Sequence, residues 1–159
     1  MKDKTNAMRF LEKEGVKFAA HSFFCDKQNP PSAPEVAKIL GQPPEKIFKT
    51  LVTTTGHPNE IFVFVVRGNS ELDLKKAARA AKEKSLQMLK AKDLFSTVGY
   101  VHGGCSPLAM KKAFPVFIDE IAQLLDAILI SAGEVGRQIE INPQDLARVT
   151  NASFCDLEA

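Results

Sequence analysis

Tryptophan is absent from this chain, tyrosine occurs once, and histidine and cysteine occur three times each. Cys25, Cys105 and Cys155 cannot all pair with one another, and no Cys-x-x-Cys joins any two of them. A disulfide framework and a zinc knuckle are therefore excluded, and the cysteines read as reduced thiols. The longest unbroken apolar run, residues 61–66, is six residues, against the roughly 20 that a membrane helix needs. No bilayer span is expected. The N-terminus is polar and leads directly into a helical pattern, unlike a secretory signal or an Arg-rich transit peptide, so a cytoplasmic protein is expected. The sequence also lacks a Gly-x-x-x-x-Gly-Lys-Ser/Thr phosphate loop, a Gly-x-Gly-x-x-Gly turn, a Gly-x-Ser-x-Gly elbow and a His-Glu-x-x-His pair. No close cluster of histidine, cysteine and carboxylate is present, so neither a metal nor any other cofactor is expected.

What remains is an ordinary globular composition: 159 residues, 45% hydrophobic and 25% charged. That is enough for one domain over residues 1–159 with a single core and a pocket. The net charge of +2 hides an uneven distribution. Residues 1–74 carry 10 basic and 9 acidic side chains, residues 75–112 carry 9 and 2, and residues 113–159 carry 2 and 8. A basic centre beside an acidic end suits either a surface for a polyanion or a solvated charged helix.

Thr5 or Asn6 caps a first helix that carries Met8 and Leu11 inward and stops at Gly15. A short strand over residues 18–24 and a loop over 25–31 follow. Ser32 and Glu35 have the spacing of a capping box that opens a helix ending at Gly41. Residues 47–53 and 61–66 read as strands joined by a hairpin-type connection over 54–59, the second apolar on both faces and so central. Asp73 caps a helix with Leu74, Ala77, Ala78 and Ala81 on a buried stripe and Lys75, Lys76, Arg79 and Lys82 opposite. A strand near Leu86, one helical turn over 92–95, a Gly103-Gly104 loop, a strand over 116–119 and a helix from Glu120 come next. Strands over 127–131 and 137–141 precede a last helix opened by Asn142-Pro143. Seven strands among short helices indicate an α/β domain with a mixed sheet curled into a barrel-like core.

Few residues offer chemistry. Of the histidines, only His102 has the setting of a general base, and a loop-supporting role fits it as well. Period-two alternation puts Lys49 on one face with Ile47 and Leu51, either as an edge lysine turned to water or as a cation fixed in a pocket. Gly103-Gly104-Cys105-Ser106-Pro107 is either a tight turn or a nest of backbone donors for an anion. Cys105 as a nucleophile would have only His102 for a base.

Thr5-Asn6-Ala7-Met8-Arg9, Ile47-Phe48-Lys49-Thr50-Leu51-Val52, Glu71-Leu72-Asp73-Leu74-Lys75-Lys76 and residues 99–108, Gly-Tyr-Val-His-Gly-Gly-Cys-Ser-Pro-Leu, together resemble the YbaK/EbsC proteins. Pro115-Val116-Phe117-Ile118-Asp119-Glu120 and Ser131-Ala132-Gly133 match as well. These are free-standing relatives of the editing domain in bacterial prolyl-tRNA synthetases, and the resemblance runs from about Lys4 to Leu157. It implies a curled mixed sheet flanked by helices and metal-independent deacylation of mischarged tRNA, in particular Cys-tRNA(Pro), in trans beside prolyl-tRNA synthetase. The substrate's own thiol is then the nucleophile, giving a cyclic thiolactone.

The resemblance makes Lys49 the essential lysine and, with Gly103, the catalytic pair. It assigns Thr50, Phe23, Ser32, Pro107, Ser131 and Gly133 to the substrate, while the face formed by Lys75, Lys76, Arg79 and Lys82 is the expected tRNA contact. Glu134 and Val135 stand where many members have a basic pair, and Phe23, Ser32 and Gln138 stand where some have a tyrosine, another aromatic and an acid. Two other functions compete: a non-catalytic tRNA or nucleotide binder of the same fold, and a deacylase for alanine or serine.

Overall fold

The computed structural model describes residues 3–57 and 60–159. Helix α1, Asn6–Lys13, is capped by Thr5, whose Oγ1 accepts the Met8 N–H at 3.2 Å. It buries Ala7, Met8 and Leu11. After strand β1, Ala19–Ser22, helix α2, Ala33–Leu40, begins with the full capping box. Ser32 Oγ accepts the Glu35 N–H at 3.3 Å and Glu35 Oε1 accepts the Ser32 N–H at 3.0 Å, so two otherwise orphaned donors are satisfied. Gly41 ends the helix at φ 66°.

Strands β2, Phe48–Thr54, and β3, Ile61–Arg67, pair antiparallel from Phe48 opposite Arg67 to Thr54 opposite Ile61. Pro58 and Asn59 of the expected hairpin connection lie outside the described residues. Helix α3, Leu74–Ala81, strand β4, Gln87–Met88, helix α4, Ala91–Val98, and strand β5, Val116–Asp119, follow. Strands β6, Ile128–Ser131, and β7, Arg137–Ile141, helix α5, Pro143–Thr150, and strand β8, Ser153–Cys155, complete the chain.

The strands form two sheets, β4-β2-β3-β5-β8 and β1-β7-β6. The first is mixed, since β3, β5 and β8 run parallel to one another while β2 opposes both its neighbours. β3 is central, as its two-faced apolar pattern requires. Val63 and Val65 enter the main core with Leu11, Ile118, Ile130, Ile139 and Leu146, whereas Phe64 and Val66 face α3, and Phe64 stacks on Phe117 with ring centroids 5.2 Å apart. Each such fully buried side chain contributes about 1.5–3 kcal/mol.

The barrel-like curl does not close among the described residues: the two sheets meet at a single parallel bridge between Ile47 and Leu129. Beside that bridge, Glu140 accepts from Lys46 Nζ at 2.8 Å and pairs with His21 Nε2 at 2.9 Å. One carboxylate thereby ties the approach to β2 to β7 and β1. Four further expectations are corrected. The segment from Glu120 is a 3₁₀ turn, Glu120–Leu124, the turn near Lys92 grows into the eight residues of α4, β8 adds an eighth strand, and Leu74 is exposed. As the first residue of α3, Leu74 directs its side chain back toward the helix start rather than down onto the sheet.

Candidate active site

Strand β2 has an edge without a strand partner. β4 pairs only with Thr53 and Thr54, and the Val52 carbonyl accepts the Leu89 N–H at 2.9 Å. At the other end Ile47 bridges to Leu129. Between these two points a cavity of about 420 Å³ opens. Its walls come from residues 30–34 at the start of α2, Met88 and Leu89, Leu94 on α4, residues 102, 103 and 105, Ser131 at the end of β6, and Gln138 on β7. Antiparallel pairing repeats every two residues, so the Thr50 N–H and C=O point the same way as the Val52 carbonyl, out of the sheet toward the cavity.

Lys49, Thr50, Ser32, Gly103 and Ser131 all line this cavity. The Lys49 ammonium has no ion-pair partner among the described residues. No aspartate or glutamate is in the cavity wall, so the site is cationic. Thr50 Oγ1 is buried with no hydrogen-bond partner among the described residues. Ser131 Oγ accepts the Gly133 N–H at 3.1 Å, which leaves its hydroxyl proton free to donate. Ser32 Oγ accepts the Glu35 N–H of the cap, and its hydroxyl proton is free in the same way.

Gly103 is glycine for two reasons: its φ is 82°, and a Cβ would lie 2.6 Å from Pro30 Cβ. In the same turn Gly104 lets the backbone pass close to residues 134 and 135, a Cβ there lying 3.1 Å from the Val135 nitrogen. The expected nest is smaller than the motif suggested, because the Gly104 N–H donates to the Val101 carbonyl at 3.0 Å. Glu134 and Val135 have clear roles. Val135 is buried against the turn, and Glu134 joins Lys27 at 3.2 Å to Arg137 at 3.3 Å.

Three expected substrate residues are not in the cavity wall. Phe23 packs behind it with Val36, Ile47 and Leu129, its N–H donating to the Gly136 carbonyl. Gly133 supports Tyr100, and Pro107 stiffens the exit of the turn. The basic face of α3 is likewise outside it, and Lys76 is already engaged, at 3.0 Å from Asp156 Oδ1 and 2.7 Å from the Glu158 carbonyl. Lys75, Arg79 and Lys82 are exposed.

His102 does line the cavity but is exposed. Cys105 lines it too, and burial pushes its thiol up to about 12, so it is protonated and unreactive near neutral pH. Gln138, marked in the sequence only as standing where some members of the resembling family have an acid and given no role there, lines the cavity. In a strand reading Arg-Gln-Ile-Glu-Ile, only the pairing partners of β7 determine that it faces a cavity.

The aminoacyl-tRNA editing domain family model matches residues 28–149, which includes every wall of the cavity. An Enterococcus faecalis protein named Cys-tRNA(Pro)/Cys-tRNA(Cys) deacylase EbsC is 46% identical over 154 residues, covering 97% of this chain and 93% of that protein. The proline–tRNA ligase of Shouchella clausii is 29% identical over 102 residues, 64% of this chain and 18% of that much longer protein. The crystal structure of a trans-editing enzyme for prolyl tRNA synthetase superposes with a TM-score of 0.81 over 99% of both chains at 22% identity, a likeness of fold.

Proposed function

The chain belongs to the aminoacyl-tRNA editing domain family, and on that premise we propose that it deacylates mischarged tRNA, with Cys-tRNA(Pro) as substrate. The reaction cleaves the ester between the amino acid and the terminal ribose. The observation that carries this reading is the opening of Lys49 and the Gly103 turn onto one cavity that has cationic and hydrogen-bonding groups but no carboxylate base.

Such a site suits a substrate that brings its own nucleophile. The cysteinyl sulfur attacks its own carbonyl carbon, the carbon–oxygen bond to the ribose breaks, and the thiol proton ends on the departing ribose oxygen. Water then opens the resulting thiolactone to free cysteine. The protein's share is orientation and charge. Lys49 holds the polar end of the acceptor terminus, and the backbone donors at Gly103 and Cys105 face the carbonyl oxygen as it gains charge. Holding reacting atoms together and stabilising one oxyanion are each able to supply several kcal/mol of barrier reduction. Thr50 and Ser131 line the aminoacyl pocket, while Phe23, Pro107 and Gly133 shape it from behind.

The acylated tRNA end is the partner, prolyl-tRNA synthetase is the enzyme whose error is removed, and the cytoplasm is the compartment. The exposed Lys75, Arg79 and Lys82 contact the acceptor arm. Among the described residues no helix is long and apolar enough to cross a membrane. The test is release of labelled amino acid from tRNA charged with cysteine, alanine, serine or proline. Cysteine is expected to be freed fastest. Release of alanine or serine instead would replace the thiol mechanism, and release of none would leave a tRNA-binding protein.

A further inference from the structure

Gln138 sits on β7 directly opposite His21 of β1 and Ser131 of β6, is 8% exposed, and reaches the cavity wall. Its Oε1 is buried with no hydrogen-bond partner among the described residues. A buried carbonyl oxygen without a donor is unfavourable, so a ligand that supplies an N–H there binds with a gain. The other polar groups of the cavity do not meet this need. Among the described residues neither the Lys49 ammonium, the Thr50 hydroxyl nor the Ser131 hydroxyl, whose proton is otherwise free, makes a hydrogen bond to Oε1.

Resting on the deacylation reading, we propose that Gln138 Oε1 accepts a hydrogen bond from the α-amino group of the aminoacyl ester, held in its neutral form. The carbonyl and ester oxygens of the substrate are acceptors and cannot satisfy Oε1, and a thiol is a weak donor. The amine is the strong donor of the aminoacyl group. Its neutral form follows from the charges around it. The cavity wall holds the Lys49 ammonium and no carboxylate, so a second cation there has no counter-charge. The adjacent ester withdraws electrons and makes the neutral amine accessible near neutral pH.

The other titratable groups do not supply the missing negative charge. His102 and the Cys105 thiol line the cavity. His21, across from Gln138, is bound to Glu140, whose second oxygen is held by Lys46. Gln138 thus selects an amine that a carboxylate at the same place would select as an ammonium.

The test pairs two esters of tRNA(Pro), cysteinyl and 3-mercaptopropionyl, which share the thiol and differ by the amine. Gln138→Leu is expected to lower kcat/KM on the cysteinyl ester by about 10- to 100-fold while changing the des-amino ester less than twofold. Gln138→Glu is expected to restore the cysteinyl reaction and move its pH profile toward acid by about one unit. Equal losses on both esters, or a Gln138→Glu profile superimposable on the wild type, would overturn the assignment.

Binding of a non-hydrolysable 3′-amide-linked cysteinyl adenosine gives a readout independent of turnover. Wild type is expected to prefer it over its des-amino counterpart by at least tenfold, and Gln138→Leu to show no preference. Lack of preference in the wild type would also overturn the assignment. Wild-type inactivity with the preference retained would overturn the hydrolytic reading alone.

Discussion

Tyr100 lies so close against Gly133 that a Cβ at residue 133 would stand 2.8 Å from Tyr100 Cε1, and Gly133 itself is held at φ 97°. The Tyr100 hydroxyl donates to the Leu108 carbonyl, and burial, together with its neighbour Cys105, raises the phenol to about 12. Residues 100–108 are thus fixed to the segment after β6 by one aromatic ring. Gly133→Ala is expected to destabilise the fold by about 2–3 kcal/mol through combined backbone strain and overlap. Urea unfolding measures this, and a loss under 0.5 kcal/mol would mean that the ring moves aside freely.

Lys49→Ala is expected to slow deacylation by at least 100-fold, about 3 kcal/mol of lost transition-state stabilisation. Stability should change little, because the ammonium has no partner among the described residues. Single-turnover rates beside thermal unfolding separate the two effects. Near wild-type rates in a folded variant would remove Lys49 from the chemistry.

Cys105→Ala is expected to keep turnover within a few-fold, since a thiol raised to about 12 is protonated at working pH. Mass spectrometry of quenched reactions should find no acyl group on the protein. An acylated Cys105 peptide would convert the mechanism to covalent catalysis.

The basic helix divides by engagement. Replacing Lys75 and Arg79 with alanine is expected to raise KM with little change in kcat, and to flatten the salt dependence of tRNA binding by about 0.9 per lost phosphate contact. Lys76→Ala should act mainly on stability, because its ammonium already serves Asp156 and the Glu158 carbonyl. A salt slope that responds to Lys76 alone would reverse this assignment.

Lys46 first, and His21 second, hold the Glu140 carboxyl below its usual value of 4.5. A carboxyl whose pKa is depressed in the folded state adds stability that is fully present above the unfolded value and lost as pH falls through the folded one. The unfolding temperature should therefore fall more steeply below about pH 4.5 in the wild type than in Glu140→Gln. The two curves converge in acid. Parallel curves would show that the cluster contributes nothing to the pH response.

The helix ends were the most legible part of the sequence, because caps are local. Thr5, the Ser32–Glu35 box, Asp73 and Asn142-Pro143 all act within three residues of themselves. β3 was legible because burial on both faces leaves no polar alternation. β8 was not, since three residues held only by parallel pairing to β5 carry no pattern of their own. The cavity was legible where a residue is locally odd, as with Lys49 in an apolar strand or the paired glycines. Met88 and Leu89 look like ordinary residues of an extended segment, and Gln138 stood out only as a departure from the resembling family; the place of all three in the wall depends on partners distant in sequence. The division into two sheets is equally non-local.

The open edge of β2 also bears on self-association. A strand edge with unpaired N–H and C=O groups is where a second chain adds itself in domain swapping and fibre growth. Here that edge is bracketed, with the Ile47–Leu129 bridge at one end and the Leu89-to-Val52 hydrogen bond at the other. The gap of residues 48–51 is shorter than the usual strand of about five or six residues, and the turn of residues 102–105 stands across it. Another polypeptide finds too little backbone there to pair with. The same short dimension that leaves the candidate cavity open gives a second chain little to pair with.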